Sequence, residues 1–205
     1  MGQEISSATF CRSDFTEFAK KLQLETDILK TYFAEDVFDC QPLHMGVELE
    51  GCLVDRQGNP APQSEPLIAG IKNKKIVPEL AKYNFEINSK AVKFGPNSLQ
   101  EIHKELDKLW RLCCLEAEKL DVSAVSIGIL PTYQRSMLNI DNIYPCKRYF
   151  ALEEELARYR HGKPIPADIH GNDNLCEHFN SLLLEAVTTS FQIHVQMCLA
   201  DSVIC

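Results

Sequence analysis

The sequence lacks paired cysteine motifs, a secretory signal and long apolar runs. Its nine cysteines are odd in number and include no C-x-x-C pair, which argues against a disulfide framework and against structural zinc. The N-terminal MGQEISSATF has no basic segment followed by an apolar one. The longest apolar runs, such as AVSIGIL, are far shorter than the roughly 20 residues that cross a bilayer. We therefore expect a cytoplasmic protein with reduced thiols and no membrane partner.

Basic residues are also scarce. Lys and Arg number 21 against 29 Asp and Glu, which gives a net charge of −8, and such a chain is not expected to bind nucleic acid. An anionic substrate would need a metal ion or local arginines. Hydrophobic residues make up 45% of 205 residues, enough for a sizeable core. Since no repeat or linker divides the chain, we expect a single domain over 1–205 that begins with a helical segment, 1–40.

Two glutamates share one face of the predicted strand GVELEGCLVD, residues 46 to 55. Apolar residues alternate there with Glu48, Glu50 and Cys52, the pattern of a strand with one buried face. Alternate strand residues are roughly 6.5–7 Å apart, and two carboxylates that close repel each other unless something neutralises them. A solvated strand face would tolerate them too, so the remaining strands must decide whether this is a binding site.

Two further predicted strands carry polar faces. YNFEINS, residues 83 to 89, places Glu86 on one, and SFQIHVQMCL, residues 190 to 199, places Gln192, His194 and Gln196 on another. The second face has no lysine, arginine or aspartate, which is typical of a strand that lines a polar cavity; an uncharged edge strand is the alternative. If the strands belong to one sheet, the glutamates and the imidazole converge.

Oxygen donors with one imidazole favour Mg²⁺ or Mn²⁺ over structural zinc. The predicted metal ligands are Glu48, Glu50, Glu86 and His194. Divalent cations held by carboxylates commonly bridge to substrate phosphates. A metal would therefore both relieve the repulsion between the glutamates and allow an acidic protein to hold an anionic substrate.

Periodicity predicts three helices around these strands, at 14–34, 98–120 and 146–162. Ser13 is the expected cap of the first, and a capping box of Ser98 and Glu101 the expected start of the second, with Leu99 on its apolar stripe. A buried strand and a loop are expected at 122–131 and 163–174. This mixture of elements predicts an α+β fold.

These segments together resemble one known family. GVELEGCLVD resembles the first-strand signature G-[IV]-E-x-E-x-x-L-V-D of the carboxylate–amine ligases related to glutamate–cysteine ligase, and FEINS resembles their second acidic strand, V-E-[LI]-N. SIGILPT, CKRYFALEEEL and LLLEAVTTSFQIHVQ are similar to a GILPT segment, an RY helix and the closing TSFQxH strand of that family. The order and spacing of the motifs across residues 46 to 198 make the set specific.

The resemblance implies a glutamine-synthetase-like fold, in which a curved antiparallel sheet forms a funnel with helices on its outer face. It also implies an ATP-dependent ligase that phosphorylates a γ-carboxylate before an amine displaces phosphate, with Mg²⁺ or Mn²⁺ at the glutamates. His194 would be a metal ligand or a phosphate contact. The substrate-binding candidates are Gln192, Gln196, Arg148 and Glu185, the last without an assigned role. No catalytic side chain is expected, because the mechanism would be electrostatic.

The chain departs from the family in two ways. Many relatives have H-x-H where this chain has His194-Val195-Gln196, so Gln196 is expected to position the amine substrate. Relatives are also much longer, so we expect an incomplete, N-terminal part of the sheet that binds ATP poorly, has little ligase activity alone and associates through the edge strand SFQIHVQMCL. A degenerate relative that binds an amino acid or metal, and a non-catalytic interaction module, are the alternatives.

Overall fold

The computed structural model describes residues 4–38 and 43–199 of the chain. The ends of the predicted helical segment 1–40, which are residues 1–3, 39 and 40, lie outside the described residues. The chain terminus at Cys205, on which the predicted incompleteness depends, lies outside them too. Within the described ranges no helix has both the length and the apolar character that a membrane crossing requires.

The described residues form four α-helices and eight β-strands, besides three short 3₁₀ turns. The helices are α1 (Arg12–Ala34), α2 (Ser64–Ile71), α3 (Ser98–Lys119) and α4 (Lys147–Tyr159). The strands are β1 (His44–Val54), β2 (Ile76–Pro78), β3 (Asn84–Asn88), β4 (Val92–Lys93), β5 (Ser123–Val125), β6 (Ile165–His170), β7 (Asn174–Phe179) and β8 (Phe191–Val195).

The strand β1 is the centre of a six-stranded antiparallel sheet. Along one edge it pairs with β3 and β4, and along the other with β8 and β5, while β2 pairs with β3. Its length of 11 residues lets it hold two strands in succession on each side. The strands β6 and β7 form a separate hairpin. The predicted α+β class is confirmed.

One face of the sheet packs against α2 and α3. Leu53, Leu67, Phe85 and Ile87 are completely buried in this core, and burying a side chain of this size contributes roughly 1.5–3 kcal/mol. Side-chain volume is restricted where β1 meets β3 and α3. A Cβ added at Gly51 would lie 2.7 Å from Cζ of Phe85 on β3 and 3.1 Å from Cζ3 of Trp110 on α3, so a larger residue at Gly51 would force these rings to shift.

The opposite, polar face of the sheet is covered at one end only. A second apolar cluster packs there, built from Leu80, Ala81, Tyr83, Ile143, Tyr149, Leu183 and Ala186. The Tyr133 hydroxyl lies 3.8 Å from Sγ of Cys52, and Nδ2 of Asn84 donates to the carbonyl of Ala186 at 2.8 Å. These contacts bury Cys52 and Asn84 at one end of the polar face, whereas Glu48 and Glu50, further along β1, stay partly exposed.

The predicted helix caps are wrong. The helix α1 is continuous and begins before Ser13, because the Asp14 carboxylate accepts a hydrogen bond from the backbone N–H of Cys11 at 2.7 Å. Ser98 is already helical, and its hydroxyl donates to the carbonyl of Gly95 at 2.8 Å. Neither Ser13 nor Ser98 therefore occupies the N-cap position that was predicted for it.

The buried strand predicted at 122–131 is also wrong. Of this segment only β5, three residues long, is a strand paired with β1, and Ile127 and Ile129 are exposed. Between Met45 and Leu49, β8 occupies this edge of β1, so the chain after Val125 has to leave the sheet. Leu99 likewise departs from the predicted stripe of α3, with 67% of its surface exposed.

The loop predicted at 163–174 is instead the first strand and turn of the β6–β7 hairpin. Most of its residues are exposed, so the apolar alternation that identifies a strand is absent from the sequence. Arg135 ties the hairpin to the rest of the chain: Nη1 contacts Glu177 at 2.7 Å, Nη2 donates to the carbonyl of His178 at 2.7 Å, and the guanidinium lies over the Phe179 ring.

Candidate functional site

The pairing register places the predicted metal ligands on one face of the sheet. Glu50 pairs with Glu86, and Glu48 pairs with Gln192 of β8. The backbone partner of His194 lies two residues from Glu48 along β1. Since paired residues and alternate residues of a strand project to the same side, all five side chains lie on the polar face, as the alternation predicted.

Side chains from β8 contact the two glutamates of β1. Nε2 of His194 lies 3.3 Å from Oε2 of Glu48. The Glu50 carboxylate accepts hydrogen bonds from the backbone N–H of Ser190 at 3.0 Å, from its hydroxyl at 2.6 Å and from Nε2 of Gln192 at 3.3 Å. The strand β8 therefore supplies neutral donors and an imidazole to carboxylates that belong to the central strand.

Two further carboxylates are held in a more buried setting. Glu86 is 4% exposed and accepts a hydrogen bond from Nδ2 of Asn88 at 2.6 Å. Burial, and then the like charge of Glu48, raise the pKa of Glu86 above its usual range. Burial, with the like charges of Glu86 and Glu50, raises the pKa of Glu79 to about 7. The ionised form is thus disfavoured at Glu79 and Glu86, which are buried close to the charges of Glu48 and Glu50.

Glu79 was not predicted from the sequence. It follows β2, whose three residues are too few to show an alternation, and the neighbouring proline suggests a turn rather than a site. Its distance in sequence from Glu48 and Glu50 gives no hint of contact. Only the pairing of β2 with β3 brings it beside Glu86.

A cavity of about 360 Å³ lies at the junction of these strands with α4 and the 3₁₀ turn that precedes β8. Its polar lining comes from Glu50, Glu79, Asn84, Tyr149, Glu185, Thr188, Ser190 and Gln192. Among the predicted substrate-binding residues, Gln192 and Glu185 therefore contribute directly to the cavity wall. The apolar remainder includes Leu80 and Leu152, so the cavity is large enough and mixed enough in character for an amino acid.

Arg148 lies behind the cavity wall and contacts a residue that lines it. Nη2 of Arg148 donates to the Tyr149 hydroxyl at 2.7 Å, and the guanidinium carbon is 4.6 Å from the ring centroid of Tyr149. Burial raises the pKa of the Tyr149 phenol to about 12, which keeps the hydroxyl protonated. Arg148 thus holds Tyr149 in place.

Gln196 belongs to a neighbouring depression of about 550 Å³ rather than to the main cavity. Its backbone N–H donates to the carbonyl of His44 at 2.8 Å, which extends the contact of β8 with β1. Glu48 and His194 line the same depression. The structure therefore divides the predicted site between two adjoining openings on one sheet face.

The residue types suit a hard divalent cation, because the donors are carboxylate oxygens with one imidazole. In the described ranges, however, no three His, Cys, Asp or Glu side chains approach closely enough to hold a metal ion. Each carboxylate is directed toward a protein partner, as Glu50 is toward Ser190 and Glu48 toward His194. The donor atoms are of the type that such an ion prefers, and they lie on the same face of the sheet. To coordinate an ion, the side chains would have to turn away from these protein partners.

No family model, curated protein or solved structure matches the chain. The resemblance to carboxylate–amine ligases therefore rests on the sequence motifs alone.

Proposed function

We propose that the chain belongs to an ATP-dependent carboxylate–amine ligase of the glutamate–cysteine ligase type, with a glutamine-synthetase-like sheet. The observation that carries the proposal is the carboxylate face, where Glu50 and Glu79 line a cavity of amino-acid size and Glu48 and Glu86 lie next to them on the same side of the sheet. Burial raises the pKa of Glu79 and of Glu86, which does not happen to a glutamate on a solvated surface, and a bound cation would favour the ionised form of both carboxylates.

The carboxylates and His194 are the residues that would hold Mg²⁺ or Mn²⁺. When bound, such an ion would neutralise charge on the phosphates of ATP and on the transferring phosphoryl group. Ser190 and Gln192 orient Glu50 through three hydrogen bonds, and Asn88 does the same for Glu86. The protein would thus contribute positioning and charge rather than a nucleophile, in keeping with the electrostatic mechanism.

The cavity would hold the amino-acid substrate. Glu79 and Glu185 in the cavity wall are suited to the ammonium group of an amino acid. The Gln192 amide, which donates to Glu50 and Ser190, would have to turn from these partners to reach the substrate carboxylate. Arg148 supports the cavity wall by fixing Tyr149. The amine is proposed to be a second amino acid, with cysteine the first to test.

A coupled assay of ADP release tests the proposal. The intact protein is supplied with ATP, Mg²⁺ or Mn²⁺, glutamate and a panel of amines, and each component is omitted in turn. The proposal predicts ADP release above background only when metal and glutamate are both present, and a further increase with the correct amine. Background release with every pair, in the presence of both metals, would contradict the ligase assignment.

A second candidate is a relative that binds metal or an amino acid without ATP chemistry. One observation favours it: among the described residues, neither lysine nor arginine lines the main cavity, although a triphosphate needs compensating positive charge. Calorimetric titration with glutamate and Mn²⁺, with and without a non-hydrolysable ATP analogue, separates the two. The second candidate is supported if metal or glutamate binds with an affinity that does not change when the ATP analogue is added.

A further inference from the structure

The outer edge of β8 has unused hydrogen-bonding capacity. The backbone N–H of Glu50 donates to the carbonyl of Ser190 at 3.0 Å, and that of Gln196 donates to the carbonyl of His44 at 2.8 Å. In an antiparallel pair the bonding direction alternates, so the even-numbered residues of this segment bond to β1. The N–H and C=O groups of Phe191, Ile193 and Val195 then point to the other edge, where no strand from residues 4–38 or 43–199 pairs.

The side chains of the same three residues are exposed. Phe191 is 54%, Ile193 61% and Val195 49% exposed. They lie on the face that packs against the core elsewhere, because they pair with Leu49, Val47 and Met45. Phe191, Ile193 and Val195 therefore extend the apolar face of the sheet to the edge of β8. An exposed apolar edge strand of this kind favours pairing with a strand of another chain.

The sequence of this edge is self-complementary. The segment from Ser190 to Leu199 contains no Asp, Glu, Lys or Arg, although the chain as a whole has a net charge of −8. A two-fold axis through Ile193 would place Phe191 opposite Val195 and Gln192 opposite His194. Apolar residues then meet apolar residues, polar meet polar, and no like charges are opposed. An acidic protein can approach its own copy more readily at this neutral strand than at its charged surfaces.

We propose that two copies of the chain associate through antiparallel pairing of β8 with β8, centred on Ile193. The outward groups of Phe191, Ile193 and Val195 would form the hydrogen-bonded pairs, and the two sheets would become continuous. On the polar face, Gln192 of the second copy would lie against His194, in the closely spaced type of pair. Each copy would thereby contribute a residue to the rim of the other's acidic site.

The contact is small, since it involves one short strand from each copy, so a concentration-dependent dimer is expected rather than a permanent one. Sedimentation equilibrium between about 1 and 200 µM, the range where small interfaces associate, should show a shift from monomer to dimer mass. Ile193→Lys would place two like charges across the axis and should abolish the shift.

Ile169→Lys is the matched control, because Ile169 is the same residue type, is also 61% exposed and lies on the β6–β7 hairpin. It should dimerise like the unmodified chain. Equal dimerisation of both variants, or a monomer throughout the concentration range, would overturn the proposal.

Hydrogen exchange on the unmodified chain gives a test that needs no variant. On raising the concentration, the amides of Phe191, Ile193 and Val195 should exchange at least about tenfold more slowly. The amides of Gln192 and His194, which already bond to β1, should not change. Protection that appears in other strands while these three amides remain unprotected would also overturn the proposed pairing.

Discussion

Glu79→Gln should stabilise the protein near neutral pH and remove part of its pH dependence. The backbone N–H of Leu80 donates to the Glu79 carboxylate at 3.0 Å, and an amide oxygen can accept the same bond. Glutamine also reproduces the shape of a protonated glutamate. What it removes is the ionised form, which burial and the charges of Glu86 and Glu50 make unfavourable.

The expected magnitude follows from the shift in pKa. Folding raises the pKa of Glu79 from the ordinary value of 4.5 to about 7, and each tenfold change in ionisation is worth about 1.4 kcal/mol. Between these values the unfolded chain is ionised while the folded carboxyl stays protonated, so the free energy of unfolding falls as pH rises from about 4.5 to about 7. Because water reaches part of the side chain, we take about 2–3 kcal/mol as the full loss.

Urea unfolding at pH 5 and pH 8 measures this difference. Glu79→Gln should resemble the unmodified chain at pH 5 and exceed its free energy of unfolding by about 2–3 kcal/mol at pH 8. Glu101→Gln is the control, since its side chain is 56% exposed on α3, and it should differ by less than about 1 kcal/mol at either pH. If the free energies of unfolding of Glu79→Gln and the unmodified chain differ by the same amount at pH 5 and pH 8, the ionisation of Glu79 does not destabilise the fold.

Two further predictions concern the scaffold around the site. Gly51→Ala should lower the free energy of unfolding by about 1–3 kcal/mol in urea titrations, because its Cβ would lie 2.7 Å from Phe85 Cζ and 3.1 Å from Trp110 Cζ3; an unchanged midpoint would contradict the close packing of these two rings against Gly51. Arg135→Ala should accelerate amide exchange in β6 and β7 while leaving β1 unaffected, because Arg135 holds Glu177, the carbonyl of His178 and the Phe179 ring; unchanged exchange in the hairpin would show that other contacts hold it.

The elements that sequence reasoning located best are those with one buried and one polar face. The strands around Glu48 and Glu86 alternate clearly, so both their position and the direction of their glutamates were predictable. The buried residues of α3, among them Ile102, Leu109 and Cys113, recur at helical spacing, so the helix and its buried face were predictable too. Leu99 fits the same spacing but is exposed, because periodicity places a residue on a helix face and does not show how far the sheet beneath it extends.

The remaining features depend on contacts between distant segments. The β6–β7 hairpin is mostly exposed and therefore lacks an apolar period. Glu79 reaches the site only because β2 pairs with β3, and Arg148 acts through Tyr149 rather than from the cavity wall. These contacts depend on strand register and on packing between segments that are distant in sequence, and no local sequence pattern indicates them.

The most direct test of the central claim is Mn²⁺ binding to the carboxylate face, measured by the paramagnetic relaxation of water protons. The unmodified chain should bind Mn²⁺, and Glu50→Gln should weaken binding at least about tenfold. Glu101→Gln, which removes an equal charge from α3 on the opposite side of the sheet, should leave the affinity unchanged. Absence of binding to the unmodified chain, or equal affinities for both variants, would contradict a metal site at these glutamates.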